Sequence, residues 1–323
     1  NTIKNKIVFN DGVEKKLYAD ENDFALVYPF VPYQFNLLAS VLTSIRTHGA
    51  SGKHLSEGAR SMLAMCKECA VGCKGREEGT HITFHAFYDA LENFLDHSHR
   101  GVIIKAYDNS FINPDHKTKD VFAINVLKTL FMIKYVNDVE ANIDNITSLM
   151  ISDIEDDRIE LKAKVEDALK VLMRQMLVQR NGEIYVFLTD EEQEINREIE
   201  SQNVEMAEVI NKASEMIFED IFTDKKYRYP AFNGRYAFSF NSTVDDRPYK
   251  ANQNYDIGVH ILTPAADMGT DDTTLRMVSG QGREVLVVLA DDRAFMDEIQ
   301  RYLKIEKFLR LNTSSALPQY ETI

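Results

Sequence analysis

The side chains best suited to chemistry are crowded into one stretch. Lys53 and Arg60 lie in Gly49-Ala-Ser-Gly-Lys-His-Leu-Ser-Glu-Gly-Ala-Arg-Ser-Met-Leu63, and Cys66, Cys69, Cys73, His81 and His85 follow. A Gly-Lys pair suggests phosphate binding. A P-loop, however, needs Gly, four residues, then Gly-Lys-Ser/Thr, because backbone N–H groups wrap the phosphates and the hydroxyl holds magnesium. Here Thr47 stands at the opening position and His54 where the hydroxyl belongs, so the loop is not of that kind. Ser56 instead reads as the start of a helix, which places Arg60 in its first or second turn with Met62, Leu63 and Met65 on an apolar side. The three thiols, offset by three and seven, share one helix face. With His81 or His85 they spell a Cys3His zinc set on paper, but one uninterrupted helix spreads the third thiol too far along its axis. The expectation is three reduced thiols packed on the core side, with no metal. His97-x-His99 and Asp115-His116 fall in polar segments read as lying between helices. No Gly-x-Ser-x-Gly elbow, His-Glu-x-x-His helix or Cys-His frame occurs, so no catalytic residue is assigned.

The elements that must position these groups follow from hydrophobic spacing. Residues 1–24 are polar, with a hairpin expected around Asn10-Asp-Gly12. Phe35, Leu38, Val41, Leu42 and Ile45 recur at helical spacing, as do Phe84, Phe87, Tyr88, Leu91, Phe94 and Leu95. Residues 1–115 therefore read as a helical domain with an N-terminal extension. In 116–189, helices are expected over Val121–Val136, Ile143–Ile151 and Arg158–Met176, followed by a hairpin turning at Asn181-Gly182. Three helices and a hairpin is the order of a winged helix, whose third helix can enter a DNA groove. The basic residues of that helix are Arg158, Lys162, Lys164, Lys170 and Arg174, with Arg180 in the wing, and Lys162, Lys170, Arg174 and Arg180 are the candidates for DNA contact. Residues 190–224 read as one long amphipathic acidic helix of about 50 Å. Residues 225–323 read as an α+β domain, with half-buried strands at Tyr227–Tyr229 and Tyr236–Phe240, buried strands at 256–262 and 284–290, and a helix over Phe295–Leu309. Asp291-Asp292 is read as the cap of that helix. The fold class is α+β, mainly α.

Composition narrows the partners. The 323 residues carry a formal charge of −14, which opposes nonspecific attraction to nucleic acid or anionic membrane without excluding a local basic face. The segment Asn137–Asp157 alone holds seven acidic residues and no lysine or arginine. No apolar run is long enough to cross a membrane and no signal segment opens the chain, so a cytoplasmic protein is expected. A first residue that is not methionine fits an internal piece of a longer protein.

Two resemblances give these elements a context. Gly58-Ala-Arg60 opening a helix is similar to the sensor-2 element of AAA+ ATPase lids, in which the arginine reaches the γ-phosphate held by an earlier P-loop. Leu26-Val-Tyr-Pro-Phe-Val-Pro-Tyr-Gln-Phe-Asn-Leu-Leu38, running into Ser44–Leu63, resembles the large P-loop ATPases of bacteriophage-exclusion (BREX) systems of the BrxC/PglY type. The likeness is densest over residues 26–65. Many relatives are expected to have an acidic residue where Ala59 stands, so the carry-over rests on Gly58 and Arg60. The resemblance implies a chain lying after the Walker motifs of a phage-defence ATPase. Arg60, with Lys53 nearby, would then sense nucleotide. ATP and Mg2+ are implied for the parent protein and no cofactor for this stretch alone. The implied partners are the rest of the parent, other defence subunits and double-stranded DNA, with no membrane. In origin-recognition-like AAA+ proteins a winged helix follows the lid, as it would here. A DNA-binding winged helix, or a ligand-free scaffold recruiting defence subunits through the acidic helix, are the alternatives.

Overall fold

A computed structural model describes residues 2–48, 59–116, 118, 120–251, 253–267 and 271–312. The chain divides into two compact units, Asn1–Asn196 and Arg197–Ile323. The first contains α1 (Thr2–Lys6), α2 (Glu21–Val27), α3 (Tyr33–Thr47), α4 (Ala59–Gly72), α5 (Ala86–Leu91), α6 (His97–Asp108), α7 (Phe122–Ile133), α8 (Ile143–Leu149), α9 (Arg158–Arg174), β1 (Val178–Asn181) and β2 (Ile184–Phe187), and it runs into α10 (Asp190–Glu200).

The sequence of α7 explains its place. Phe-Ala-Ile-Asn-Val-Leu-Lys-Thr-Leu-Phe-Met-Ile carries only three polar residues, Asn125, Lys128 and Thr129, and every residue from Ile124 to Ile133 is buried, these three included. A helix apolar on most of its sides belongs in the middle of a core. Around it pack α5, α6, α8, α9 and β2. Each of several surrounding helices starts on a side-chain cap: Asp20, Asp96, Asn142 and Asp157 accept from backbone N–H groups of their own first turns. Such a cap stabilises a helix by about 1 kcal/mol. The order α7, α8, α9, β1, β2 is the helix–helix–helix–hairpin order expected from the sequence. The hairpin pairs Asn181 with Ile184, leaving Gly182 and Glu183 as its two-residue turn. Gly182 has φ +59, the conformation that turn demands of its first central residue.

Gly79 is the other glycine that its position requires. It has φ +101, and a Cβ there would lie 2.8 Å from Ile154 Cγ2. The bare backbone lets Thr80 bridge to Asp153 and tie the exit of α4 to the segment after α8.

Two expectations are corrected. Asn10-Asp-Gly12 does not turn a hairpin. The Val8 N–H donates to Ser148 Oγ (3.1 Å) and the Asn10 N–H to Asn145 Oδ1 (2.9 Å), so side chains of α8 take the bonds a partner strand would have taken. Nor is 190–224 one helix. It breaks at residues 201–205, where Ser201 Oγ and Gln202 Nε2 donate back to the Glu198 carbonyl. A new helix, α11 (Met206–Glu215), then starts on a capping box between Glu205 and Glu208. It continues into a π-helical turn, Met216–Ile221. Burial of Val204 at the break (7 % exposed) draws the chain inward there.

The second unit also holds β3 (Tyr227–Arg228), β4 (Ala237–Phe238), β5 (Asn241–Val244), β6 (Arg247–Pro248), β7 (Gly258–Leu262), α12 (Asp272–Gln281), β8 (Glu284–Val288) and α13 (Ala294–Leu311). One sheet has the order β6-β5-β7-β8, with β5, β7 and β8 parallel and β6 antiparallel to β5, and β3–β4 is a separate hairpin. Parallel neighbours need a crossover, and α12 lies between β7 and β8 in the chain. The core contains Val209, Ile210, Phe218, Val244, Ile261, Met296 and Ile299. The N-cap of α13 is Arg293, without a side-chain cap bond, so Asp291-Asp292 does not cap it as expected; Asp292, one residue earlier, accepts from the Ala294 N–H at 2.9 Å. The strand at 284–288 is less buried than its apolar run implies, because it is the sheet's edge and Val285 is 63 % exposed. The strands at 227–228 and 237–238 lie at the surface, with Tyr227 and Phe238 about half exposed (49 % and 50 %).

A prediction concerns Lys134, whose side chain is only 5 % exposed and whose ammonium donates to the Phe187 carbonyl (2.6 Å) and to Glu192 (2.7 and 2.9 Å). Lys134→Ala removes the buried ammonium's bonds to the Phe187 carbonyl and to Glu192, which keeps the Thr189 N–H as a donor, and is expected to cost about 2 kcal/mol. Urea denaturation followed by circular dichroism reads the loss, which Lys134→Arg should partly restore.

Candidate functional site

The chemistry-bearing residues of the first unit converge on a cavity of about 380 Å³ beside α4, α5 and α7. Cys69 and Cys73 come from α4 and its exit, His85 and Asp89 from α5 and the residue before it, and Asp120 and Lys128 from α7 and the segment leading into it. Burial acts most clearly on the thiols of α4. It pushes the Cys69 thiol up to about 12 and also raises that of Cys66, one turn earlier and outside the cavity lining, so neither is a thiolate at neutral pH. All three cysteines are free and pack on the core side, as expected. Among the described residues no group of three or more His, Cys, Asp or Glu is placed to hold a metal ion.

Lys128 is the charged centre of this cavity. Its side chain is 4 % exposed and donates to Asp89 at 2.6 Å. Burial opposes its charge, but the bonds to Asp89 and Tyr107 outweigh burial and hold the ammonium above its ordinary value. The rings of Tyr88 and Tyr107 lie 5.6 and 5.5 Å from Nζ, a distance at which an aromatic face attracts a cation. His85 is pushed down to about 4 by burial and by the positive charge of Lys128. Its Nε2 faces Thr83 Oγ1 at 3.4 Å, while Nδ1 is buried without a partner among the described residues. The site is thus a mixed-charge pocket lined by the cations Lys128 and Arg76, the carboxylates Glu68, Asp89 and Asp120, and one neutral imidazole.

The residues singled out in the sequence fare differently. Lys53 lies outside the described residues. Arg60 falls in the first turn of α4, the helix whose later turns line the cavity. His97 and His99 are not in a segment between helices but in the first turn of α6. His99 is buried: its Nδ1 donates to Asp96 Oδ1 at 2.6 Å and its Nε2 accepts from the Tyr135 hydroxyl at 3.0 Å. That arrangement caps a helix and fixes a ring. Asp96 could have revealed it, as an aspartate three residues before a histidine at a helix start. The cations of α9 and the wing are mostly matched. Lys162 pairs with Asp144 (2.8 Å), Lys170 with Asp167 (2.9 Å) and Arg180 with Glu183 (2.8 Å), while Arg174 is exposed at the last turn. Sequence reasoning missed Lys128 and Asp89, because each looks like an ordinary surface charge until α7 is known to be buried.

The second unit is an α+β domain whose mostly parallel sheet is accompanied by helices α11, α12 and α13. Residues 202–323 match the family described as BREX ATP-binding protein BrxC 4th domain with six-stranded beta sheet. That stretch belongs to the BrxC family of BREX phage-defence proteins, the family that residues 26–65 resemble. The six strands of the description equal β3–β8 in number, of which four share one sheet here and two form the separate hairpin. No solved structure matches the chain. Among the described residues, no helix is long and apolar enough to cross a membrane.

The depressed His85 gives a pH prediction. Between its ordinary value of 6.5 and its value of about 4, the unfolded chain binds a proton that the folded chain does not. Stability is therefore fully present above 6.5 and is lost as pH falls through that window, by about 3 kcal/mol from this group. Denaturation of wild type and His85→Gln at pH 7 and at about 4.5 measures it. The variant is expected to lose distinctly less stability on acidification.

Proposed function

We propose that this chain is a regulatory and interaction segment of a BrxC-type phage-defence ATPase. In this reading the helical region through residue 115 acts as an AAA+-like lid, and α7–α9 with β1–β2 acts as a winged-helix module. The BrxC domain over 202–323 follows them. The observation that carries the reading is that match, downstream of a helical unit whose α4 begins at Ala59 and has Arg60 in its first turn. The family's description names ATP binding, and this stretch has no P-loop of its own, so nucleotide would be held elsewhere in the parent. Arg60 would reach the γ-phosphate, with Lys53 beside it. Because α4 packs on α5 and α5 on α7, a displaced α4 would press on the core helix that the winged-helix module shares. The carboxylates within 2.9 Å of Lys162, Lys170 and Arg180 favour a protein partner over duplex DNA at α9 and its wing. Other defence subunits are the natural candidates.

ATP hydrolysis by the full-length protein tests this. An arginine whose contact strengthens in the transition state contributes roughly 100-fold in rate. Arg60→Ala should lower hydrolysis by about that factor while nucleotide still binds, and an unchanged rate would sink the lid reading.

A further inference from the structure

The exposed hairpin β3–β4 is the most unusual surface on this molecule. Four cations, Lys225, Lys226, Arg228 and Arg235, fall in residues 225–244, which contain no aspartate or glutamate, in a chain of net charge −14. Lys225 is occupied, donating to Glu219 and to the Phe218 carbonyl. Lys226, Arg228 and Arg235 are exposed and have no ion pair among the described residues. This is the reverse of α9, where carboxylates answer the cations.

The register arranges the aromatic residues. Tyr227 pairs with Phe238, and the Tyr229 N–H donates to the Tyr236 carbonyl at 2.9 Å. Residues two apart on a strand share a face, so Tyr227, Tyr229, Tyr236 and Phe238 form a two-by-two array on one side of the ribbon. All four are 44–50 % exposed. Along each strand the rings are about 6.8 Å apart, twice the roughly 3.4 Å rise of stacked bases. Phe232 extends the array at the tip, 72 % exposed and edge-on to Tyr236 at 5.9 Å. The tip holds Phe232, Asn233 and Gly234 all in the left-handed region (φ 59, 55 and 68). For an aromatic residue that is a costly conformation, seen where surrounding structure or function demands it.

We propose that the β3–β4 hairpin binds single-stranded nucleic acid, its bases stacking on the Tyr227/Tyr229/Tyr236/Phe238 face and its phosphates meeting Lys226, Arg228 and Arg235. Charge complementarity selects a polyanion. The aromatic array selects one with open ring faces, which excludes a paired duplex whose bases are already stacked. The scarcity of aliphatic side chains on the ribbon argues against an apolar protein partner, whose recognition would use them. By the same two-residue period Arg228, opposite Ala237, and Lys226 start on the other face, so their long side chains would have to reach round the open edges of the two-stranded ribbon to meet a backbone lying along it. This role is independent of the lid reading, since it needs neither nucleotide hydrolysis nor Arg60.

Fluorescence anisotropy of a labelled oligothymidylate of about 20 nucleotides, titrated with this chain, tests the proposal. The single strand should bind more tightly than a duplex of the same length. Tyr229→Ala with Tyr236→Ala should weaken binding roughly tenfold or more, while Tyr229→Phe with Tyr236→Phe should retain it. Arg228→Ala with Arg235→Ala should weaken binding and flatten the salt dependence by about 1.4 in log–log slope. Because these side chains are exposed, circular dichroism should show every variant folded. No binding by the wild type, preference for the duplex, or unchanged affinity in the folded tyrosine-to-alanine variant would each overturn the assignment.

Discussion

Complete burial of α7 is the constraint on which the first unit depends. A helix buried from Ile124 to Ile133 forces its neighbours to cover every side of it, and it brings Lys128, and Lys134 at its C-terminal cap, into the core with it. Lys128 is answered by Asp89 from α5, and Lys134 by Glu192 from α10 and by the carbonyl of Phe187 at the end of β2. Replacing a partner strands a charge in a poorly solvated interior, which costs more than the pair contributes. The ionic contacts therefore fix which elements lie against α7, while the apolar contacts supply the bulk of the driving force. Phe131 shows the two working together, its ring edge-on to Tyr88 and to Phe187 at 5.4 Å each.

Much of this architecture was legible in the residues. The spacing of Leu38, Val41, Leu42 and Ile45 marked α3, the largely apolar run marked α7, and Asn181-Gly182 located the hairpin turn. The failures have physical causes. Asn241–Val244 and Arg247–Pro248 are strands of four and two residues with polar composition, too short for alternation to be visible. The break after Glu200 was masked because isoleucines continue at helical spacing on both sides of it, and no proline or glycine marks it. At the candidate site, Lys128 and Asp89 are 39 positions apart, so no spacing rule connects them. The alternation of Tyr227, Tyr229, Tyr236 and Phe238 was readable as strand. It says which rings share a face, but not that the face is left open.

The distribution of charge separates two surfaces that composition alone would treat alike. On α9 and its wing, Lys162, Lys170 and Arg180 stand at ion-pair distance from carboxylates, which cancel their field within a few ångströms. On the β3–β4 ribbon the nearest acidic groups in sequence are Asp224 and Asp245, outside the ribbon on either side. A net charge of −14 thus coexists with a local surface of opposite sign.

The π-helical turn Met216–Ile221 has a consequence for register. It closes with the Phe222 N–H donating to the Ile217 carbonyl at 2.6 Å, five residues back rather than four. One residue is in effect extra in an otherwise α-helical path. Excising a single position from this turn would restore regular winding and advance everything beyond it by about 100°. Phe222 would then swing away from Phe240, whose ring it meets at 5.7 Å. The length of that turn, more than its composition, sets the azimuth at which the chain enters the aromatic ribbon.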